Sequence, residues 1–293
     1  MNIKQILQNS EAALSFEVFP PKNEATFASV RDAARAVCAL RPAFISVTCG
    51  AGGSTDGYTG ALAAELQKDF GVPAVAHLTC VNATKADIRR SLADLSARGI
   101  GNVFALRGDL PAGVDATAFD FPHAVDLVRE IRAAAPEMTI GCAAYPEGHP
   151  ESPSQKEDIR RLSEKVAAGC DFMTTQMFFD NNILYNFLYK IRDAGVTVPV
   201  VAGVMPVTNA VQITRICKLS GTELPPRFKR IVDRYGHDPA AMKQAGVAYA
   251  TEQIIDLYAN GVRAVHLYSM NKPDVAAAIQ SSLSAILSAE NKA

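Results

Sequence analysis

The chain has 293 residues and is close to electroneutral, with 29 Lys and Arg set against 30 Asp and Glu. It offers no basic stripe for nucleic acid, no secretory signal pattern, and no apolar run near the roughly 18 residues that a membrane span needs. An apolar share of 48% with 20% charged residues is that of an ordinary soluble globular protein, and the expected location is the cytoplasm.

Residues 1–13 read as an amphipathic lead-in, a helix placed to cover one end of the fold. Eight short apolar runs follow, at 14–19, 44–49, 74–80, 103–107, 139–145, 172–178, 199–205 and 263–268. Such runs, without polar alternation, suit strands buried on both faces of a parallel sheet. Helical stripes alternate with them at 26–40, 60–70, 86–97, 123–135, 154–168, 181–194 and 208–219, then at 240–260 and 273–288. Thr84 stands as an N-cap and Pro273 at a first helical position. Gly99, Gly169, Gly195 and Gly261 each follow a helical run and precede a strand, a weak internal repeat of helix, C-cap glycine and strand. Eight such units predict one α/β domain over 1–293, a (β/α)8 TIM-type barrel with extra helices before the last strand. The segment 221–238 is expected to form a short additional helix pair. Six cysteines lie far apart with no CxxC pair, mostly in apolar or helical stretches, which predicts reduced thiols.

A barrel of this kind carries its site at the C-terminal ends of the strands. Near those ends stand Glu17, Thr48, His77, Asp109, Tyr145 and Gln176. Glu17 sits among Phe16, Val18 and Phe19, where desolvation raises a carboxyl pKa and can keep it protonated as a general acid. The competing reading is an interior carboxylate paired with Lys or Arg. Arg107, Gly108 and Asp109 close the fourth run with a guanidinium and a carboxylate about a glycine, suited either to anion binding or to an internal Arg–Asp pair. His77 alone reads more readily as a structural residue than as a ligand. The five histidines form no HxH or HxxxH pair, so no metal is expected. The run "CGAGGSTDG" from Cys49 lacks the third glycine of GxGxxG and reads as a loop at the barrel mouth. Gln176, an amide on an apolar strand, needs buried partners or a ligand with donor and acceptor edges.

Taken together, "SFEVFPPK", "ISVTCGAGG", "AHLTC", "ALRGD", "AAYPEGHPE", "TTQMFFD" and "GVMPV" resemble, in order and spacing, the methylenetetrahydrofolate reductases of the short bacterial type. The resemblance runs from about Leu14 to Lys272. It implies a flavin-bearing eight-stranded barrel with FAD as cofactor. The implied reaction reduces 5,10-methylenetetrahydrofolate to 5-methyltetrahydrofolate with NADH or NADPH, NADH being favoured, and feeds methionine synthesis. It gives Glu17 the role of proton donor to folate N10, Asp109 that of tuning the flavin and stabilising the folate cation, and Gln176 that of holding the pterin. Thr48, His77, Arg107, Gly108, Tyr145, His149, Asp158 and Lys165 match flavin-contacting positions, as do His123 and Ala124, while Gln212 and Lys272 fall where substrate contacts are expected. Further copies of the same chain are the expected partner, as a homo-oligomer. Because the chain stops at Ala293, the regulatory domain of longer eukaryotic members is not expected.

Several positions depart from the family text. Cys49 replaces a tyrosine, Arg161 an asparagine, Glu164 a basic residue, Ile216 an aromatic and Lys272 an arginine with its bidentate geometry. The departures at Ile216 and Lys272 bear on nicotinamide and folate binding. Two other readings remain at this point: a flavin- or folate-binding subunit that draws electrons from a partner, and another FAD barrel oxidoreductase.

Overall fold

The protein is described by a computed structural model covering residues 2–21, 24–49, 58–110, 113 and 119–291. All eight apolar runs form strands: β1 (Ala13–Val18), β2 (Ile45–Val47), β3 (Ala74–Thr79), β4 (Asn102–Leu106), β5 (Thr139–Ala144), β6 (Phe172–Thr175), β7 (Val200–Val204) and β8 (Ala264–Tyr268). Each pairs in parallel with the next, and β8 returns to β1, so the sheet closes. Closure leaves no unpaired edge and gives every strand two buried faces, which is why the sequence shows continuous apolar runs.

The period of two along each strand divides the core. Phe16, Val18, Ile45, Val47, Val103, Ile140 and Met173 belong to the large outer cluster with the surrounding helices, whereas Phe44, Val75, Phe104, Phe172 and Val201 belong to a second cluster within the barrel. The connecting helices are α2 (Phe27–Cys38), α3 (Tyr58–Phe70), α4 (Lys85–Ala97), α5 (Ala124–Ala134), α6 (Gln155–Ala168) and α7 (Asn181–Asp193). Thr84 caps α4 as expected, in a reciprocal capping box with Asp87. The four repeated glycines all take positive φ where helix gives way to strand.

The lead-in forms α1 (Ile3–Asn9), shorter than the expected span because β1 already begins at Ala13. Its buried Ile3 and Leu7 join the interior cluster and plug the N-terminal end of the barrel. Asn102 locks the plug: its Oδ1 accepts from the Ile3 amide at 3.2 Å while its Nδ2 donates to the Ala74 carbonyl at 3.1 Å.

After β7 the chain makes an excursion through α8 (Ala210–Ser220), α9 (Pro226–Tyr235) and α10 (Pro239–Ala259) before β8, and α11 (Pro273–Glu290) follows it. The expected helix pair over 221–238 is one helix only. Gly221, at φ 71°, ends α8, and Pro225–Pro226 holds the preceding residues extended, which leaves too few for a second helix.

Inside the barrel, Gly141 makes room for two aromatic rings. A Cβ there would lie 2.4 Å from Phe172 and 2.6 Å from Phe104. Gly141→Ala is therefore expected to lower stability by about 1–3 kcal/mol through overpacking, read as a shifted urea midpoint. An unshifted midpoint would mean that both rings yield without strain.

Candidate functional site

The interior side chains at the C-terminal ends of the strands line a cavity of about 500 Å³. A second cavity of about 300 Å³ adjoins it between β4, β5 and the starts of α5 and α6. The two share Leu106, Arg107, Ala143, Tyr145 and His149 as a common wall. One elongated site results, with an inner half in the barrel mouth and an outer half over two helix N-termini.

The inner floor is a hydrogen-bonded histidine. His266 Nδ1 lies 2.7 Å from Ser15 Oγ and its Nε2 lies 2.8 Å from Ser46 Oγ. Because the Ser15 hydroxyl donates to the Val265 carbonyl at 3.0 Å, Nδ1 carries the ring proton and Nε2 accepts from Ser46. Burial pushes this imidazole down to about 3, with neighbouring His77 acting in the same direction, so it stays neutral. The ring also stacks on Phe44 at 5.5 Å.

Above this floor stand Glu17 and His77. Desolvation pushes the Glu17 carboxyl up to about 8 and the His77 imidazole down to about 3. Their closest atoms are 3.7 Å apart, too far for a hydrogen bond, and both groups favour their neutral forms. The contact is therefore no ion pair, and the carboxyl proton is not spent on the imidazole. The Lys or Arg partner of the competing reading is not found among the ion pairs of the described residues. The Ser269 hydroxyl, donating to the Glu17 carbonyl at 2.6 Å, ties the end of β1 to the loop after β8.

The remaining inner residues arrive from successive strand ends. Gln176 follows β6, and its Oε1 accepts from the Met177 amide at 3.0 Å, which leaves the amide NH₂ for a ligand. Tyr145 follows β5 and meets His149 edge to face at 4.5 Å. Tyr268, opposite Glu17 in the β1–β8 register, donates to the Thr175 carbonyl at 2.5 Å. Asp109 and Thr48 complete the rim. Cys49 also lines it, its thiol donating to the His77 carbonyl at 2.8 Å and pushed up to about 11 by burial. The rest of the glycine-rich run, 50–57, lies outside the described residues.

Arg107 stands at the junction of the two halves. Its fork grips Glu151 through Nη1 at 2.6 Å and Nη2 at 2.7 Å, while Nε donates to the Gly108 carbonyl. The internal pair with Asp109 is thus replaced by a pair reaching into the loop after β5. The outer half also holds His123, Ala124, Asp158 and Lys165. The Lys165 ammonium donates to the Ala143 carbonyl at 3.0 Å, and Asp158 accepts from the His149 amide at 3.3 Å. Arg161 and Glu164 line this half and pair with each other at 3.2 Å. Guanidinium, ammonium and helix N-termini converging on one groove suit phosphate groups.

Most residues expected from the sequence come together here. Glu17, Thr48, His77, Arg107, Gly108, Asp109, Tyr145, His149 and Gln176 line the inner half, and His123, Ala124, Asp158 and Lys165 the outer. Gln212 and Lys272 line neither. Gln212 is exposed on α8, and Lys272 donates to Thr208 Oγ1 at 2.5 Å, bridging the loops after β7 and β8. Ile216 of α8 does reach the inner wall. Sequence reasoning missed Ser15, Ser46, His266, Tyr268 and Glu151. The period-two pair His266 and Tyr268 in "AVHLY" was the available signal.

The family model for methylenetetrahydrofolate reductase matches residues 2–284. The chain belongs to the methylenetetrahydrofolate reductase family. It is 32% identical to 5,10-methylenetetrahydrofolate reductase of Escherichia coli K12, over 91% of this chain and 88% of that one. It is 33% identical to methylenetetrahydrofolate reductase (NADH) 1 of Arabidopsis thaliana, over 92% of this chain and 48% of that one. The chain therefore spans about half the length of the plant relative. Among solved structures, a Clostridium thermocellum protein described as binding two copies of 5-methyl-5,6,7,8-tetrahydrofolic acid superposes with TM-score 0.65. The alignment covers 98% of this chain and 99% of that one at 16% identity, so it bears on the fold alone.

Gly108 fixes the junction. It adopts φ +89°, and a Cβ would lie 2.6 Å from Val81 Cγ1. Gly108→Ala is expected to destabilise the protein by about 1–3 kcal/mol and to displace Arg107. Thermal melting reads the first effect, and a wild-type melting temperature would show that the turn tolerates a side chain.

Proposed function

We propose that this single barrel domain reduces 5,10-methylenetetrahydrofolate to 5-methyltetrahydrofolate, with FAD as cofactor and NADH as electron donor, in one-carbon metabolism. The observation that carries the reading is Glu17: a carboxyl pushed up to about 8 by burial, facing a cavity, with no cation paired to it among the described residues. Opening the five-membered ring of this folate requires protonation of an amine nitrogen, which needs an acid still protonated near neutral pH. Family membership and the NADH in the plant relative's name support the substrate and the donor.

The site fits FAD by its shape and by its donors. The inner half, with its apolar walls and neutral polar groups, suits a tricyclic ring, and the groove with Arg107, Lys165 and two helix N-termini suits a diphosphate and its nucleoside. When bound, FAD supplies the hydride-carrying ring between the nicotinamide and the folate carbon. Thr48, His77, Gly108, Asp109, Tyr145 and His149 would hold the ring end, and His123, Ala124, Asp158 and Lys165 the adenosine diphosphate end.

The protein's own groups divide the folate chemistry. Glu17 holds the proton for N10 and delivers it as the ring opens. Asp109, on the rim, presents a carboxylate to the positive charge that develops on the folate. The free amide NH₂ of Gln176 orients the pterin by its polar edge. Gln212, exposed on α8, and Lys272, after β8, suit the folate's acidic tail.

Three outcomes test this assignment. Folate reduction should be level below pH about 8 and fall above it, since the folded protein loses the Glu17 proton as pH rises through its raised pKa. Glu17→Gln should keep the flavin and its bleaching by NADH, yet lose folate turnover by roughly 10²-fold or more; stopped-flow traces separate the half-reactions. Wild-type folate reduction in that variant removes Glu17 from its role. Asp109→Asn should shift the flavin potential and slow folate reduction, and an unchanged potential and rate would count against its assignment.

A further inference from the structure

We infer that Glu151 competes with the cofactor's diphosphate for Arg107: its carboxylate holds the end of the guanidinium through the same kind of paired hydrogen bonds that a phosphate makes. The inference rests on the flavin reading above and adds a residue that opposes cofactor binding.

Geometry supplies the argument. Arg107 offers its planar end to Glu151 through two parallel hydrogen bonds of 2.6 and 2.7 Å, the arrangement a guanidinium also makes with phosphate. Its third donor, Nε, is already engaged by the Gly108 carbonyl at 3.2 Å. A phosphate that takes this end of the fork competes with the carboxylate for it. The two partners are unequally held, with 18% of the Arg107 side chain exposed against 56% for Glu151. Arg107 is anchored in the junction wall, whereas Glu151 can swing into water at little cost.

The surroundings make the displacement electrostatically consequential. Glu151 lines the outer groove with Glu157, Asp158 and Glu164. Glu157 and Glu164 are compensated by Arg160 and Arg161 along α6. Arg107 has no such reserve: its one carboxylate partner among the described residues is Glu151. An arriving diphosphate thus meets an arginine already neutralised, beside a carboxylate that repels it.

The test is a fluorescence titration of the flavin-stripped, full-length protein with FAD and, separately, with riboflavin, which has the same ring and no phosphate. Glu151→Gln keeps the shape and removes the charge. FAD should bind this variant roughly fivefold more tightly than wild type at low salt, the gain should shrink at high salt, and riboflavin affinity should not change. Equal or weaker FAD binding by the variant overturns the inference, as does a riboflavin shift parallel to that of FAD. Failure of the wild-type protein to bind FAD at all would instead sink the flavin reading, and this inference with it.

Discussion

The site depends on one constraint: ionisable groups inside a closed barrel are kept from ionising. The strand ladders consume the backbone donors and acceptors, so the interior has few dipoles to spare for a charge. Glu17, His77 and His266 all respond in the same sense, the acid moving up to about 8 and the two bases down to about 3. At neutral pH these three side chains are polar yet uncharged. Ion pairing begins at the junction, where Arg107 meets Glu151. The proton on Glu17 is therefore not drawn off by the neighbouring imidazole, which burial holds neutral.

Much of this was legible in the sequence, for a physical reason. Parallel strands buried on both sides read as unbroken apolar runs, so all eight strands and their order could be taken from the text. Where such a run ends, an isolated polar residue has no structural use on the outer face. That is why Glu17, Tyr145 and Gln176 stood out, whereas His77 read as structural on its own and only the family resemblance pointed to it; all four converge on one cavity. The barrel floor was not legible. Ser15, Ser46 and His266 come from β1, β2 and β8, and the contacts of His266 span 251 and 220 residues. No local spacing encodes such a contact, and serine in a strand carries no signal of its own. Glu151 was hidden likewise: its partner Arg107 is 44 residues away, and the nearer Asp109 offered a more obvious mate.

The excursion before β8 shows a different limit. α8, α9 and the first turn of α10 form their own cluster, with Phe228 stacked between Phe179 and Tyr249, while the later turns of α10 pack on the barrel through Ala250, Ile254 and Leu257. Met177 and Met205 belong both to this cluster and to the wall of the inner cavity. The excursion is thereby coupled to the site through side-chain packing. Gln212 and Ile216 both ride on α8, and Ile216, one of the departures from the family text, reaches the cavity through this same helix. Sequence comparison flagged the position; only the packing shows that it belongs to a wall also built by methionines, whose flexible side chains can fill the space around a smaller residue.

The separation of neutral interior from charged exterior also explains why the site has two halves. A diphosphate needs cations, and a guanidinium placed beside Glu17 would pull its pKa back toward the usual carboxylate range and abolish it as a proton donor near neutral pH. The raised pKa of Glu17 therefore goes with the lack of a cation paired to it among the described residues. The fold achieves this by drawing Arg107 from the end of β4 and Lys165 from α6, so that both cations line the outer groove. Gly108 turns the chain between Arg107 and Asp109, and places the carboxylate on the inner rim without crossing the two environments.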